Sequence, residues 1–331
     1  MTDRRLDVLA IGNAIVDVIA DADDQVIARE GMHKGAMQLV DEAEAVRLYE
    51  AMGPAREASG GSAANTVAGV ASLGLKAGFI GQLADDQLGA IFAHDIRSLG
   101  VEFDTAAKQD VGATGRCLIL VTPDAQRTMN TFLGAAQRLG PDAVEPAKVA
   151  EARILYLEGY LWDPEEPRQA MYKAMDAARS AATKVAFTLS DGFVVDRHRA
   201  DLQRLLDERR IDILFANQVE AESLAGTSDV EAAVEALKGK VETLVVTRGE
   251  HGAIAVRGGE RADVPAQPIG TLVDTTGAGD LFAAGFLAGE ARGLPLRQSL
   301  ELGATCAAEV IQHYGARPEA NLRAIAGDLL G

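Results

Sequence analysis

The sequence has few cysteines, few aromatic residues and no long apolar run. Its two cysteines, Cys117 and Cys306, lie far apart and form no CxxC pair, which argues against a zinc site or a redox dithiol. Aromatic residues make up 5%, so the core must consist mostly of Ala, Val, Ile and Leu. No run approaches the roughly 18 apolar residues of a membrane-spanning helix, and the first residues lack the apolar stretch of a signal peptide.

Positive charge is also scarce, since 32 Lys and Arg stand against 49 Asp and Glu, for a net charge of −17. This surplus repels the phosphates of nucleic acids and anionic lipids, so we expect neither a nucleic acid nor a membrane as partner. An anionic substrate would need a local cluster of donors. We expect a soluble cytoplasmic protein of two domains, or one large α/β domain with an appendage.

Short apolar runs alternate along the chain with longer helical stretches. Strands are predicted at Leu6–Ile11, Ala77–Ile80, Ile154–Leu157, Val185–Leu189, Ile211–Ala216 and Leu244–Thr247. Helices are predicted at about Gln87–Leu99, Glu165–Ala182, Arg199–Arg209, Val230–Leu237, Leu281–Glu290 and Leu296–His313. This alternation indicates an α/β fold with three layers and a mostly parallel central sheet. Ligands should then lie beyond the carboxyl ends of the strands.

Other predicted strands do not fit the alternation. Residues 116–121 and 127–132 flank Pro123-Asp124, and this pattern is typical of a β-hairpin. Strands are also predicted at Val16–Ala20 and Ala36–Val40. Together they predict a small separate β-sheet, a lid, built from about residues 15–40 and 112–133.

Two common nucleotide-binding motifs are absent from the sequence. A Walker A loop needs a Gly-Lys pair followed by Ser or Thr, but Gly239-Lys240 is followed by Val241. A Rossmann fingerprint needs three spaced glycines after the first strand, where Gly12 stands alone. Both kinds of nucleotide site are therefore excluded.

The strongest chemical signal is the segment Asp274-Thr275-Thr276-Gly277-Ala278-Gly279-Asp280, which precedes a predicted helix. Gly277 and Gly279 let the backbone turn with its N–H groups converging, and the helix dipole adds positive charge. This predicts an anion hole for a phosphoryl group in transfer. We expect the helix terminus to keep Asp280 ionised, so that it accepts a hydroxyl proton. In the alternative interpretation Asp280 only caps the helix and the glycines only turn the chain.

A second signal is Gly60-Gly61 with Asn65, in a glycine loop that leads into a helix. Two glycines allow the backbone to approach a ligand closely, and Asn65 offers both a donor and an acceptor to vicinal hydroxyls. Asp17, just past the first strand, could accept hydrogen bonds from the same hydroxyls. The alternatives are tight packing of the helix on the sheet and, for Asp17, a solvated loop acid.

A third signal is Asn217-Gln218-Val219-Glu220, directly after a predicted strand. Asn217 and Glu220 could hold a hydrated Mg²⁺ through oxygen ligands. The alternative is an ordinary helix cap with a glutamate three residues later, which is a capping box.

A fourth signal follows the next predicted strand, at Thr247, Gly249 and Gly252. These residues could line the phosphates of a nucleotide. A turn from a strand into a hairpin would look the same in the sequence.

In this order, the four signals resemble the PfkB, or ribokinase-like, kinase family over nearly the whole chain. Gly60-Gly61-Ser62-Ala63-Ala64-Asn65 resembles its first signature and residues 274–280 its second, while Asn217 and Glu220 match its N-x-x-E element. The resemblance implies ATP-dependent phosphorylation of a hydroxymethyl group with Mg²⁺.

The resemblance also implies a role for each candidate residue. Asp280 would be the general base, and Gly277, Ala278 and Gly279 the anion hole. Asn217 and Glu220 would organise Mg²⁺ and phosphate. The remaining assignments are ATP contacts at Thr247, Gly249 and Gly252, and sugar hydroxyl contacts at Asp17, Gly60, Gly61 and Asn65. Asp274 resembles a position near the family's monovalent-cation site, which leaves a K⁺ requirement open.

Within the family, Gly12-Asn13-Ala14-Ile15-Val16-Asp17 resembles the opening of adenosine kinases, whereas Ala64-Asn65 also suits ribokinases and fructokinases. The expected acceptor is a nucleoside, adenosine first, and the alternative is a free sugar such as ribose or fructose. A binding protein without turnover is the third interpretation. The family resemblance allows a monomer or a homodimer.

Overall fold

The computed structural model describes residues 4–124 and 126–330. Each of the strands predicted above is present, with ends that shift by at most two residues. The strands are β1 (Leu6–Ile11), β2 (Ile15–Asp21), β3 (Met37–Leu39), β4 (Ala55–Gly60), β5 (Ala77–Ile80), β6 (Val101–Phe103), β7 (Thr114–Val121), β8 (Arg127–Gly134), β9 (Ala152–Glu158), β10 (Lys184–Thr188), β11 (Ile213–Asn217), β12 (Thr243–Thr247), β13 (Ala253–Arg257) and β14 (Glu260–Val264).

The helices are α1 (Asp24–Arg29), α2 (Glu42–Ala51), α3 (Ser62–Ser72), α4 (Gln87–Ser98), α5 (Pro146–Ala150), α6 (Glu165–Ala181), α7 (Gly192–Asp207), α8 (Gln218–Ala225), α9 (Val230–Leu237), α10 (Ala278–Arg292), α11 (Leu296–Val310) and α12 (Leu322–Ala326). Short 3-10 helices lie at Ala135–Arg138, Pro141–Ala143, Gly159–Trp162, Gly249–His251 and Gly327–Leu330. None of the helices described here is both long and apolar enough to cross a bilayer.

One helix begins earlier than the sequence predicted. The helix expected from Arg199 starts at Gly192, because Asp191 caps it with a carboxylate that accepts from the Phe193 N–H at 3.1 Å. His198 interrupts it with non-helical dihedral angles, φ −118° and ψ 17°. The apolar stretch before this bend is therefore helical.

Among the residues described, nine strands form the large sheet, in the order β14-β13-β12-β11-β10-β9-β1-β5-β6. All neighbours are parallel except for β13 and β14, which add an antiparallel edge. Alternate side chains of the central strands enter two cores: Val8 and Ala10 of β1 pack on one face, and Leu9 and Ile11 on the other. The expected three-layer α/β fold is confirmed.

In the part of the chain that the structure describes, five strands form the second, small sheet, in the order β3-β8-β7-β2-β4. Strand β2 follows β1 after a three-residue turn and pairs with β7 in parallel and β4 in antiparallel orientation. Strand β4 was not predicted, since its first residues, Ala55, Arg56 and Glu57, are exposed and show no apolar pattern. The small sheet thus includes a segment outside residues 15–40 and 112–133.

Candidate active site

The carboxyl ends of β1, β9, β10, β11 and β12 open into a cavity of about 490 Å³. The small sheet forms its opposite wall. The large sheet contributes Asn13, Glu158, Thr188, Asn217 and Thr247. The small sheet contributes Ile15, Asp17, Met37, Leu39, Cys117, Ile119, Met129, Thr131 and Leu133.

Asp280 lies in the first turn of α10 and reaches the first turn of α3. Its Oδ1 accepts from Ser62 Oγ at 2.7 Å, and its Oδ2 accepts from Asn65 Nδ2 at 2.9 Å. Burial raises the pKa of Asp280, against these two hydrogen bonds and the charge of Arg317. The helix-terminus argument alone was therefore incomplete, since desolvation moves the pKa upward. A carboxylate with a raised pKa is a stronger base than an ordinary aspartate, which favours a role as proton acceptor.

The glycines before Asp280 differ in their surroundings. Gly277 has φ 77°, and a Cβ there would lie 2.6 Å from the Cβ of Ala316. The Ala278 N–H donates to the Thr275 carbonyl at 3.2 Å. A Cβ on Gly279 would meet no atom within 4 Å. The chain therefore turns at Gly277 and leaves open space at Gly279, as a cradle for an anion requires.

The diglycine lies at the junction of β4 and α3, where the structure leaves only Gly61 between strand and helix. The predicted glycine loop before the helix is thus reduced to this one residue. A Cβ on Gly60 would lie 2.3 Å from Asp17 Oδ1. Gly61 has φ 94°, and a Cβ there would lie 2.2 Å from the carbonyl oxygen of Asn13. A side chain at either position would therefore clash with its neighbours, and glycine at position 60 also lets Asp17 approach the junction.

Two buried acceptor atoms near Asp280, the Oδ1 atoms of Asn13 and Asn65, have no hydrogen-bond partner among the residues described. The half-buried carboxylate of Asp17 lines the same cavity. Burial raises the pKa of Asp17 to about 7, with Asp280 adding to the rise and the charges of Arg317 and Arg127 opposing it. Unpaired buried acceptors are costly, so this wall of the cavity fits a ligand rich in hydroxyl donors.

Asn13 and Glu158 belong to the site but were not among the predicted site residues. Glu158 ends β9 and accepts from the Asn13 N–H at 2.7 Å, Asn13 Nδ2 at 2.6 Å and the Ala63 N–H at 2.7 Å. Burial raises the pKa of Glu158 to about 7. Their position directly after predicted strands was the signal that could have found them.

A second cavity of about 570 Å³ adjoins the first and shares Thr247, Thr275, Gly279 and Phe282 with it. Its walls are largely apolar and come from Gly249, Gly252, Ala266, Pro268, Ile269, Leu272, Ala278, Ala304, Ala307, Ala308 and Ile311. Gly279 borders both cavities, so a group placed at Gly279 can be reached from either side. Two cavities that meet at an anion cradle suit a reaction between two bound molecules.

Asn217 and Glu220 form the capping box that the sequence analysis kept as its alternative. Asn217 Oδ1 accepts from the Glu220 N–H, and Glu220 accepts from the Asn217 N–H, both at 2.9 Å. Asn217 Nδ2 also donates to Glu220 at 2.7 Å. Burial raises the pKa of Glu220 to about 7. Both residues still line the first cavity.

A resident metal ion would have few protein ligands at this place. Within residues 4–124 and 126–330, no group of three or more His, Cys, Asp or Glu side chains could hold a metal ion. One carboxylate beside an anion cradle fits Mg²⁺, which keeps several waters and binds mainly through substrate phosphates. Glu220 and Asn217 would hold such an ion through its waters.

Asp274 is buried, and both of its oxygens are engaged. They accept from the Thr276 N–H at 2.9 Å and the Gly315 N–H at 3.0 Å, and the carboxylate pairs with Arg127 of the small sheet. Arg127 also donates to Thr276 Oγ1 at 2.9 Å. A guanidinium therefore already balances the charge of Asp274, where a monovalent cation was considered. No motif in the sequence points to this role of Arg127.

Residues 6–322 match the pfkB family carbohydrate kinases. The chain belongs to this family. The kinase is 48% identical to an adenosine kinase from Sinorhizobium meliloti and 47% identical to a probable sugar kinase from Rhizobium etli CFN 42. The first alignment covers 97% of this chain and 98% of that one, the second covers 98% of both, and each TM-score is 0.92. It is also 29% identical to a fructokinase from Klebsiella pneumoniae over 85% of this chain and 95% of the relative.

The kinase is therefore an ATP-dependent phosphotransferase with an alcohol acceptor. Its relatives include both sugar and nucleoside kinases.

Proposed function

We propose that this kinase transfers the γ-phosphoryl group of ATP to the 5′-hydroxyl of adenosine, forming AMP. One observation carries this choice: the first cavity has a polar end and a large apolar wall. The unpaired Oδ1 atoms of Asn13 and Asn65 and the carboxylate of Asp17 line the polar end beside Asp280. The apolar wall comes from the small sheet. A ribose fits the first part, and a purine base fits the second.

A free sugar would satisfy only the polar end. One wall of the cavity, on the small sheet, carries Ile15, Leu39, Ile119, Met129 and Leu133, which offer no hydrogen bond from their side chains. Ribose or fructose would leave this surface in contact with water, whereas a planar base would cover it. The similarity to the Sinorhizobium meliloti adenosine kinase supports the same assignment.

The chemistry assigned to the chain follows from the geometry around Asp280. A hydroxyl near Ser62 and Asn65 would give its proton to Asp280 as the phosphoryl group arrives. The open backbone at Gly279 and the first turn of α10 would stabilise the negative charge of the group in transfer. The small sheet would exclude water and so prevent ATP hydrolysis.

The second cavity is the proposed ATP site. Its apolar walls suit the adenine ring, and Thr247, Gly249 and Gly252 lead from it toward Gly279. Mg²⁺, when bound, would share the charge of the phosphates. Formation of AMP from adenosine would place the enzyme in purine salvage, in the cytoplasm.

The test is a panel of acceptors. Adenosine, inosine, ribose and fructose are each mixed with ATP and Mg²⁺, and ADP formation is measured. Adenosine should give the highest kcat/KM, and inosine a lower value. Preference for ribose or fructose would instead identify a sugar kinase, the second candidate, which the similarity to the probable sugar kinase and the fructokinase favours.

A further inference from the structure

Arg317 lies between α11 and α12 and extends across the junction of β4 and α3. Its Nε and Nη2 donate to the Ser59 carbonyl at 3.1 and 2.8 Å, and Nη2 also donates to Ser59 Oγ at 2.8 Å. Its Nη1 donates to the Ala64 carbonyl. One planar guanidinium therefore joins the end of the strand to the first turn of the helix, on either side of Gly61.

The chain segment that carries Arg317 also contacts the phosphate loop, residues 274–279. The Gly315 N–H donates to Asp274 at 3.0 Å, and Ala316 packs against Gly277 where any Cβ would clash. Arg317 follows directly. A single short segment thus connects the anion cradle to the turn that bears the acceptor-binding residues.

Three carboxylates are close enough to this guanidinium to act on its charge. Asp95 on α4 accepts from the Ser59 N–H at 2.8 Å and from Ser59 Oγ, while Asp17 and Asp280 line the first cavity. Burial lowers the pKa of Arg317 to about 10, and the three carboxylates oppose this change. Arg317 is therefore still charged at neutral pH, and its charge lowers the pKa of both Asp17 and Asp280.

We propose that Arg317 is a positioning residue for phosphoryl transfer, which aligns the β4–α3 junction with the phosphate loop and supplies the positive charge that balances Asp17 and Asp280. The inference rests on the proposed function, because it takes Asp280 as the base. The proposed role has two parts that can be tested separately. The hydrogen bonds to Ser59 and Ala64 require the planar guanidinium of an arginine, whereas charge balance requires only a cation.

Removal of the charge should change the pH profile in one direction. The charged and titratable groups facing Asp280 are Asp17 from β2, Tyr156 and Glu158 from β9, Tyr160 from the following turn, and Arg317. Arg317 is the cation of this set. Without this cation the pKa of Asp280 should rise further. As the pH is lowered, Asp280 should then become protonated, and stop acting as a base, at a higher pH than in the wild-type enzyme.

The experiment compares Arg317→Gln and Arg317→Lys with Arg297→Gln, a control that removes an exposed arginine from α11. For each enzyme, kcat and KM are measured from pH 5 to 9 with ATP and the best acceptor of the panel. Calorimetry gives the Kd for the acceptor, and a thermal melt reports folding.

Arg317→Gln should lower kcat and move the acidic limb of kcat/KM upward by roughly one pH unit. Arg317→Lys should lower kcat but leave the acidic limb of kcat/KM at the same pH as in the wild-type enzyme. Arg297→Gln should match the wild-type enzyme in both kcat and the acidic limb. The proposal would be overturned if both Arg317 variants kept the wild-type kcat. It would also be overturned if the acidic limb of kcat/KM shifted by the same amount in both variants. If Arg317→Gln does not fold, Arg317→Lys alone decides by the same criterion.

A different result would refute the proposed function itself. A folded wild-type enzyme that phosphorylates no acceptor of the panel would refute the proposed function and, with it, this inference. An active wild-type enzyme with unaltered Arg317 variants would overturn the role of Arg317 alone.

Discussion

Replacement of Asp280 by asparagine removes the proposed base and keeps the shape of the side chain. The introduced amide can still accept from Asn65 Nδ2 and can donate to Ser62 Oγ, because a hydroxyl both donates and accepts. Both hydrogen bonds of the wild-type side chain therefore persist in one orientation. The fold and the acceptor site should remain, while the proton acceptor is lost.

The expected loss in kcat is roughly 10²- to 10⁴-fold, the usual contribution of general base catalysis. This corresponds to about 3–5 kcal/mol in the activation free energy. The Kd for adenosine, measured by calorimetry, should change little. The thermal midpoint should not fall, because burial raises the pKa of Asp280 and its ionised form therefore disfavours the folded state above the ordinary pKa.

The assay couples ADP formation to a spectrophotometric readout, from the lowest pH at which the enzyme stays folded up to about pH 9, so that it covers any rise from the ordinary pKa of an aspartate. Wild-type kcat/KM should fall as the pH decreases through the raised pKa of Asp280, and this limb should vanish from the residual rate of the variant. Ser62→Ala is the matched control, because it removes one hydrogen bond to the carboxylate and should cost about tenfold at most. A variant that retains more than about a tenth of wild-type kcat would refute the assignment of the base.

Three further predictions concern the backbone cradle and Asp17. Gly279→Ala should leave the thermal midpoint unchanged or higher but raise the KM for ATP, because its Cβ enters open space between the two cavities. Gly61→Ala should destabilise the fold by roughly 1–3 kcal/mol in denaturant titrations, since φ is 94° and the Cβ meets a carbonyl oxygen, whereas Gly53→Ala should be neutral. Asp17→Asn should weaken acceptor binding in calorimetry yet raise the thermal midpoint, more at pH 8 than at pH 5, because the pKa of about 7 makes the ionised form costly to the fold as pH rises. An equal midpoint gain at both pH values would contradict that last explanation.

Many strands and helices around the large sheet could be predicted from the sequence because the patterns that indicate them involve residues close together in the chain. The strand Leu6–Ile11 and the helix Val230–Leu237 have the predicted bounds, since apolar runs and amphipathic periods depend on near neighbours. The exposed strand β4 was missed for the opposite reason. Its residues show no apolar pattern, and they form a strand because they pair with β2.

The sequence by itself determined the family of the protein, its alternating α/β order and the short peptides at residues 60–65 and 274–280. Motif residues are close in the chain, so their spacing is visible without a fold. Only the tertiary structure decided that Asp280 bonds Ser62 and Asn65, that Arg127 balances Asp274, and that Arg317 joins the two signature segments. These contacts connect residues more than a hundred positions apart, and burial, which sets the pKa of Asp280, exists only after the layers pack.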